Sequence, residues 1–258
     1  MTSGTRVIKI GGRPQGEPTL SARIARLWNR GTNPLVIVHG GGNEVTALQT
    51  SFGLQAQFVG GRRVTQEKDI DVLRMALSGT ANKRLVSALI DHGIRALGLS
   101  GEDAALITAK PIDAERLGYV GAPHRANVEL LWHLLDGGYL PVISPVSRNA
   151  CAGSASTLGL TTALNVNADD AASALAVALS AEELMLVADV PGVMSDGTII
   201  TRLGSDLARD LMASGTAAGG MRAKIEAALA ARQGGVSRVR IGDLAAINDP
   251  DRGTLFVD

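Results

Sequence analysis

Apolar positions along this chain fall into short runs of strand length, separated by stretches with helical spacing. Residues 7–10, 35–38, 96–99, 140–144, 183–187 and 238–241 hold the runs and are predicted as strands. Between them, 21–30 reads as a helix with Ile24 and Leu27 inward, and 44–52 as a second. Residues 66–88 read as a long helix, with Ile70, Leu73, Leu77 and Leu85 at helix spacing. Residues 128–135, 169–179 and 220–232 complete the helical set. The pattern loosens over 107–120 into polar, short segments, which predicts a β-hairpin excursion. Residues 151–162, rich in Gly, Ser, Thr and Ala, predict a lobe junction or hairpin. Strand–helix alternation at this spacing implies an α/β protein whose mostly parallel sheet is covered on both faces. Such sheets bind ligands at the carboxyl ends of their strands.

Composition narrows this picture. A chain of 258 residues accommodates one large α/β domain or two lobes sharing one sheet. With 45% hydrophobic and 19% charged residues, disorder is excluded. Aromatics are only 3%, so Ala, Val, Leu and Ile must build the core, and a base-stacking surface lacks its material. Lys plus Arg and Asp plus Glu number 25 each, which leaves no electrostatic footprint for nucleic acid or a membrane. The single cysteine, Cys151, excludes an internal disulfide and a cysteine-cluster metal site, and is expected to be a bystander thiol. No signal-peptide pattern or membrane-length apolar run is present, so a cytoplasmic protein is expected.

The candidate chemistry lies where glycines follow strands. Lys9-Ile-Gly11-Gly12 ends the first strand and His39-Gly40-Gly41-Gly42 the second. Asp189-Val190-Pro191-Gly192-Val193 follows a later strand, and Gly219-Gly220-Met221-Arg222-Ala223-Lys224 opens a helix. Without a Cβ, successive backbone N–H groups can close on an anion, and a following helix adds its N-terminus. Two lysines beside such loops are equipment for phosphoryl transfer. The chain has neither the G-x-x-x-x-G-K-[ST] loop nor the H-R-D and D-F-G sets, so another architecture is required. His39 has no carboxylate near in sequence and reads as a structural hydrogen-bonder rather than a base. Thr65 reads as an N-cap, and Arg62 and Arg63 either as a solvated turn or as a bidentate grip on a carboxylate. Asn165-Val-Asn-Ala-Asp169-Asp170 carries more amides and acids than capping needs, and an acid near two lysines would bridge and orient them.

These residues meet a family. Lys9-Ile-Gly-Gly12, His39-Gly-Gly-Gly42, Arg63-Val-Thr65, Leu77-Ser-Gly-Thr-Ala-Asn82-Lys83, Asn165-Val-Asn-Ala-Asp169, Asp189-Val-Pro-Gly192 and Gly220-Met-Arg-Ala-Lys224 resemble the amino acid kinase family. The match runs from Lys9 to about Gly253. The resemblance implies a single domain of carbamate kinase-like fold, a three-layer αβα sandwich with two lobes, about 1–168 and 169–258, sharing a mostly parallel sheet. The Arg-Val-Thr and Asn-Val-Asn-Ala-Asp signatures resemble those of members acting on acylated amino acids. They imply ATP-dependent phosphorylation of the γ-carboxylate of N-acetyl-L-glutamate, in arginine biosynthesis. Magnesium would be held mainly by phosphates and water. Lys9 and Lys224 would stabilise the transferring phosphoryl group, and Asp169 would hold both lysines. Gly11, Gly12, Gly41 and Gly42 would offer N–H groups to phosphate and substrate, and Arg63 and Asn165 would grip the acylated glutamate. Ala188, Asp189, Val190, Gly192 and Val193, with Thr216, Ala217, Ala218, Gly220 and Met221, would wrap adenine and ribose.

Two segments depart from the family pattern, Gly60-Gly61-Arg62 before Arg-Val-Thr and Arg13-Pro14-Gln15-Gly16 after the first loop. Both flank the acyl and main-chain ends of the substrate. A kinase of acetylated or carrier-linked aminoadipate, and a non-catalytic metabolite sensor, are the competing readings. Eight residues precede Lys9, too few for the additional N-terminal helix of arginine-inhibited hexamers, so the resemblance implies an uninhibited homodimer. The apolar face of Ile70, Leu77 and Leu85 reads either as core or as a contact with a two-fold mate.

Overall fold

The computed structural model describes residues 4–31, 33–151 and 162–257. Eleven strands form one sheet. They are β1 (Arg6–Ile10), β2 (Leu35–His39), β3 (Ala96–Gly101), β4 (Ile107–Pro111), β5 (Val120–Ala126) and β6 (Leu140–Asn149). The rest are β7 (Ala163–Val166), β8 (Glu183–Val187), β9 (Arg202–Leu203), β10 (Arg238–Gly242) and β11 (Thr254–Phe256). The order is β9-β11-β10-β8-β1-β2-β6-β4-β5-β7, with β3 pairing the first half of β6. The contiguous strands β10, β8, β1, β2 and β6 are parallel, as are β3 and β6. Register aligns Ile10 with both Val187 and His39, so these strands end together at one rim.

Both faces are covered, which explains why β2 and β8 are buried throughout and mostly apolar rather than alternating. Val7, Val38 and Leu186 pack with Ala171, Leu175 and Ile225 from helices Ala168–Ala178 and Gly219–Gln233. Ile8, Ile10, Ile37 and Val187 pack on the other side, with Ile24, Leu27 and Leu89. The period-two alternation therefore sends Lys9 to the same face as Val7, toward helix Ala168–Ala178.

All six predicted strands and all six predicted helices are present, with two corrections. The segment 66–88 is α-helical over Glu67–Leu73 and Asn82–Ile90 but forms a π-helix over Arg74–Ala81. Its wider turn falls on Ser78-Gly79-Thr80, poor α-helix formers that leave the hydrogen-bond pattern free to widen. Thr65 is not the N-cap, because the helix begins two residues later. There the Asp69 carboxylate accepts the Gln66 N–H at 2.8 Å. Of the two readings of the Ile70, Leu77 and Leu85 face, the core one holds: all three are buried within the chain, Ile70 and Leu77 on Val146 and Ala163. The expected hairpin is present as β4 and β5, its returning strand running on to Ala126. The junction expected over 151–162 lies almost wholly outside the described residues. Among the described residues no helix is long and apolar enough to cross a membrane.

Candidate active site

The site is built where β1, β2 and helix Ala168–Ala178 converge. Asn167 caps that helix, its side chain accepting the Asp169 N–H at 2.8 Å. Asp169 thus sits in the first turn, facing β1. Its Oδ1 lies 2.8 Å from Lys9 Nζ and its Oδ2 3.3 Å from Lys224 Nζ. Lys224 projects from the second turn of helix Gly219–Gln233. Lys9 and Asp169 are each 4% exposed. Burial pushes Lys9 down to about 8, with Asp169 opposing the shift and Lys224 adding to it. Burial also pushes the Asp169 carboxyl upward, but the two lysines outweigh it and hold the group below the ordinary range. The result is an ionised carboxylate between two lysines, with one net positive charge when all three are ionised.

A cavity of about 240 Å³ opens beside this trio. Lys9, Gly12, Gly41, Gly42, Arg63, Asn165 and Asp169 are among the residues that line it. Gly41 has φ 149°, and a Cβ there would come within 2.7 Å of Leu77 Cδ2. Only glycine lets the loop turn here against the π-helix. Arg63 donates to Gly42 O at 2.9 Å and to Thr46 Oγ1 at 2.8 Å, and also to Gln49 Oε1. Gln49 is in turn held by Asp69, which accepts from its Nε2 at 2.9 Å. Three of the five guanidinium donors are thereby used, and the fork is fixed at the cavity wall. Asn165 Nδ2 donates to Thr65 Oγ1 at 2.9 Å, and Thr65 Oγ1 donates to Arg63 O at 3.0 Å. Thr65 therefore ties the arginine to the asparagine.

The structure brings together Lys9, Lys224, Asp169, Gly12, Gly41, Gly42, Arg63 and Asn165. Ala217 and Ala218 line a cavity of about 560 Å³ with Asn167 and Gly219, whereas Ala188 and Asp189 border a separate hollow. Val193 is anchored by Thr254, whose Oγ1 accepts its N–H at 2.8 Å. Asp189 meets Arg13 at 2.9 Å on the surface. Gly11 lies just outside the 240 Å³ cavity, as N-cap of the short turn Gly12–Gln15. Arg62 is paired with Asp170 at 3.0 Å, so its charge is met by protein at the rim of the site. His39 is fully buried, and burial pushes it down to about 4 with the Gly40 carbonyl opposing, so it is neutral. Gln49 and Thr46 carry no sequence signal of their own, because each acts through Arg63 rather than from a glycine loop.

Comparison with known proteins decides the family. The amino acid kinase family model matches residues 4–243. The chain belongs to the amino acid kinase family. A curated relative, the acetylglutamate kinase of Chloroflexus aurantiacus, is 41% identical over 252 residues, covering 97% of this chain and 95% of that protein. Among solved structures, smu.665 of Streptococcus mutans is 27% identical with a TM-score of 0.85, covering 98% of each chain. An N-acetylglutamate synthase of Neisseria gonorrhoeae, complexed with coenzyme A and N-acetyl-glutamate, is 27% identical with a TM-score of 0.81. That match covers all of this chain and 60% of the synthase. Membership in this family accounts for the sandwich architecture.

Proposed function

We propose that this chain transfers the γ-phosphoryl group of ATP to the γ-carboxylate of N-acetyl-L-glutamate, giving N-acetyl-L-glutamyl 5-phosphate for arginine biosynthesis. The observation that carries this is the Lys9–Asp169–Lys224 cluster opening into a cavity walled by Arg63 and Asn165. The name of the 41% identical relative supports the acceptor, as does the acyl glutamate bound by the structurally similar synthase. Phosphoryl transfer needs alignment and charge stabilisation more than covalent help. The γ-carboxylate is ionised at neutral pH, so no general base is needed. Lys9 and Lys224 meet the charge on the equatorial oxygens, and Asp169 fixes the distance between the two cations. The glycine N–H groups take up the remaining charge. Magnesium would be held mainly by the phosphates of ATP and by water, where it would offset phosphate charge. Arg63 and Asn165 hold the carboxylate and acyl ends, and the nucleotide lies along 188–193 and 216–221.

Trapping the acyl phosphate with hydroxylamine tests the reading. N-acetyl-L-glutamate should give hydroxamate in an ATP- and Mg²⁺-dependent way and outpace N-acetyl-aminoadipate. Preference for the longer acid would move the chain to the lysine pathway, and no hydroxamate from any acylated acidic amino acid would remove the enzymatic reading.

A further inference from the structure

Phosphoryl transfer at this site uses N–H groups of the loop 40–42, and glycines alone do not aim them. A peptide between Gly40 and Gly41 can turn over at little local cost, because neither residue has a Cβ. Turning it over would present a carbonyl oxygen where an anion must bind. The loop therefore needs a restraint from outside.

A directed chain of hydrogen bonds supplies one. The carbonyl of Val142, in β6, can only accept, so Asn82 presents its Nδ2 there, at 2.9 Å. The same nitrogen lies 3.0 Å from His39 Nε2. With Nδ2 fixed as the donor, Nε2 is the acceptor and the ring proton belongs on Nδ1. Nδ1 lies 2.8 Å from Gly40 O, which again can only accept. Asn82 Oδ1 accepts from Lys83 Nζ at 3.1 Å, which agrees with the same amide orientation. Gln15 Nε2, at 3.4 Å from Nδ1, stands at the limit of hydrogen-bond reach. His39 and Asn82 are both 0% exposed, so bulk water does not compete with the chain.

We propose that His39, its tautomer set by Asn82, is a positioning residue for phosphoryl transfer. It pins the Gly40 carbonyl so that the Gly41 N–H faces the transferring group. The Gly40–Gly41 peptide is trans, so drawing the carbonyl toward the buried ring turns the Gly41 N–H the opposite way, toward the cavity lined by Gly40, Gly41 and Lys9. Among the described residues, no backbone or side-chain acceptor is recorded for that N–H, which suits a donor kept for substrate. Asn82 lies just past the π-helix whose Leu77 presses on Gly41, so one element sets both the shape and the polarity of the loop. This assigns a task to the His39 and Asn82 positions of the two signature motifs that phosphate contact alone leaves without one.

Two variants separate positioning from packing. Asparagine carries its amide nitrogen as many bonds from the backbone as Nδ1, and glutamine as many as Nε2. His39→Asn keeps a donor for Gly40 O. His39→Gln fills more of the ring volume and still reaches Asn82, but offers Gly40 O nothing. We expect His39→Gln to lower kcat on the order of 10²-fold, the loss seen when one oxyanion donor is removed, with both KM values little changed. His39→Asn should retain most of kcat. A packing role gives the reverse order, because asparagine leaves the larger void. Equal losses, or asparagine worse than glutamine, overturn the proposal. The rate readout rests on the N-acetyl-L-glutamate reading, so a second measurement stands apart from turnover. Imidazole ¹⁵N spectra of the unmodified protein should show His39 protonated on Nδ1 and bare on Nε2. A proton on Nε2 overturns the proposal whether or not the protein is active. Inactivity toward every acyl amino acid, with Nδ1 protonated, supports the directed chain and counts against the substrate reading alone.

Discussion

Lys9 and Lys224 hold the same carboxylate, and the Lys9 ammonium is almost wholly enclosed and pushed by burial down to about 8. The sign follows directly. Below about pH 8 the free protein carries the Lys9 cation, and as pH rises through that value the cation is lost. We expect kcat/KM for ATP to fall with a one-proton slope above about pH 8. Saturating ATP brings phosphate charge that favours the ammonium, so the fall in kcat should move to higher pH. Pre-steady-state and steady-state pH profiles measure both, and a flat kcat/KM up to pH 10 would contradict the assignment. Lys9→Ala and Lys224→Ala should each cost on the order of 10²–10³ in kcat while changing KM far less, because the charge they meet develops in the transition state. Arg63→Lys should instead raise KM for the acyl amino acid, since a point charge cannot replace a fork held by Gly42, Thr46 and Gln49. Equal, small effects from all three would contradict these roles. At this scale the sequence was most legible where a charge adjoined glycine. Lys9, Asp169 and Lys224 could be paired from residue type and motif. Thr65 could not, because a hydroxyl before a helix has an ordinary capping use, and its bond to Asn165 spans 100 positions.

The elements show why spacing alone gave some boundaries and missed others. β2 and β8 are buried on both faces and read as apolar runs with one polar residue at an end, His39 and Glu183, while β1 is broken only by Lys9. The two-residue hairpin strands at Phe58–Val59 and Arg62–Arg63 are exposed or half-buried and leave no periodic mark. Periodicity did not disclose the π-helix either, because Leu73 and Leu77 stay inward through the wider turn. That turn has a consequence for the glycine loop. Gly41→Ala should both strain the backbone at φ 149° and drive a methyl into Leu77. We expect a loss of about 1–3 kcal/mol in stability with near-complete loss of activity. Denaturant titration of Gly41→Ala, Leu77→Ala and the double variant measures the coupling. The double variant should be more stable than the sum of the single losses, since Leu77→Ala removes the clash. Strict additivity would show that the loop and the π-helix do not constrain each other.

At the scale of the whole molecule, one sheet gathers chain segments far apart in sequence at a common rim. Lys9 comes from the first strand, Asp169 from the middle of the chain, and Lys224 from a helix near its end. Strand–helix alternation made the parallel sheet and its ligand-binding edge legible. It did not reveal β9 and β11, which are short, or the order that places β1 between β8 and β2. Nor did it show that Ala188 and Asp189 line one hollow and Ala217 and Ala218 another, because loop motifs carry no information about the space between them. The central claim is that this rim moves phosphorus onto a carboxylate oxygen. The most direct measurement labels both γ-carboxylate oxygens of N-acetyl-L-glutamate with ¹⁸O and lets hydroxylamine consume the product. Attack at the acyl carbon expels phosphate with its bridging oxygen, so the released phosphate should carry one ¹⁸O per hydroxamate formed. Phosphate without label, released at the rate of ADP, would mean that water rather than the carboxylate receives the phosphoryl group, and would contradict the account.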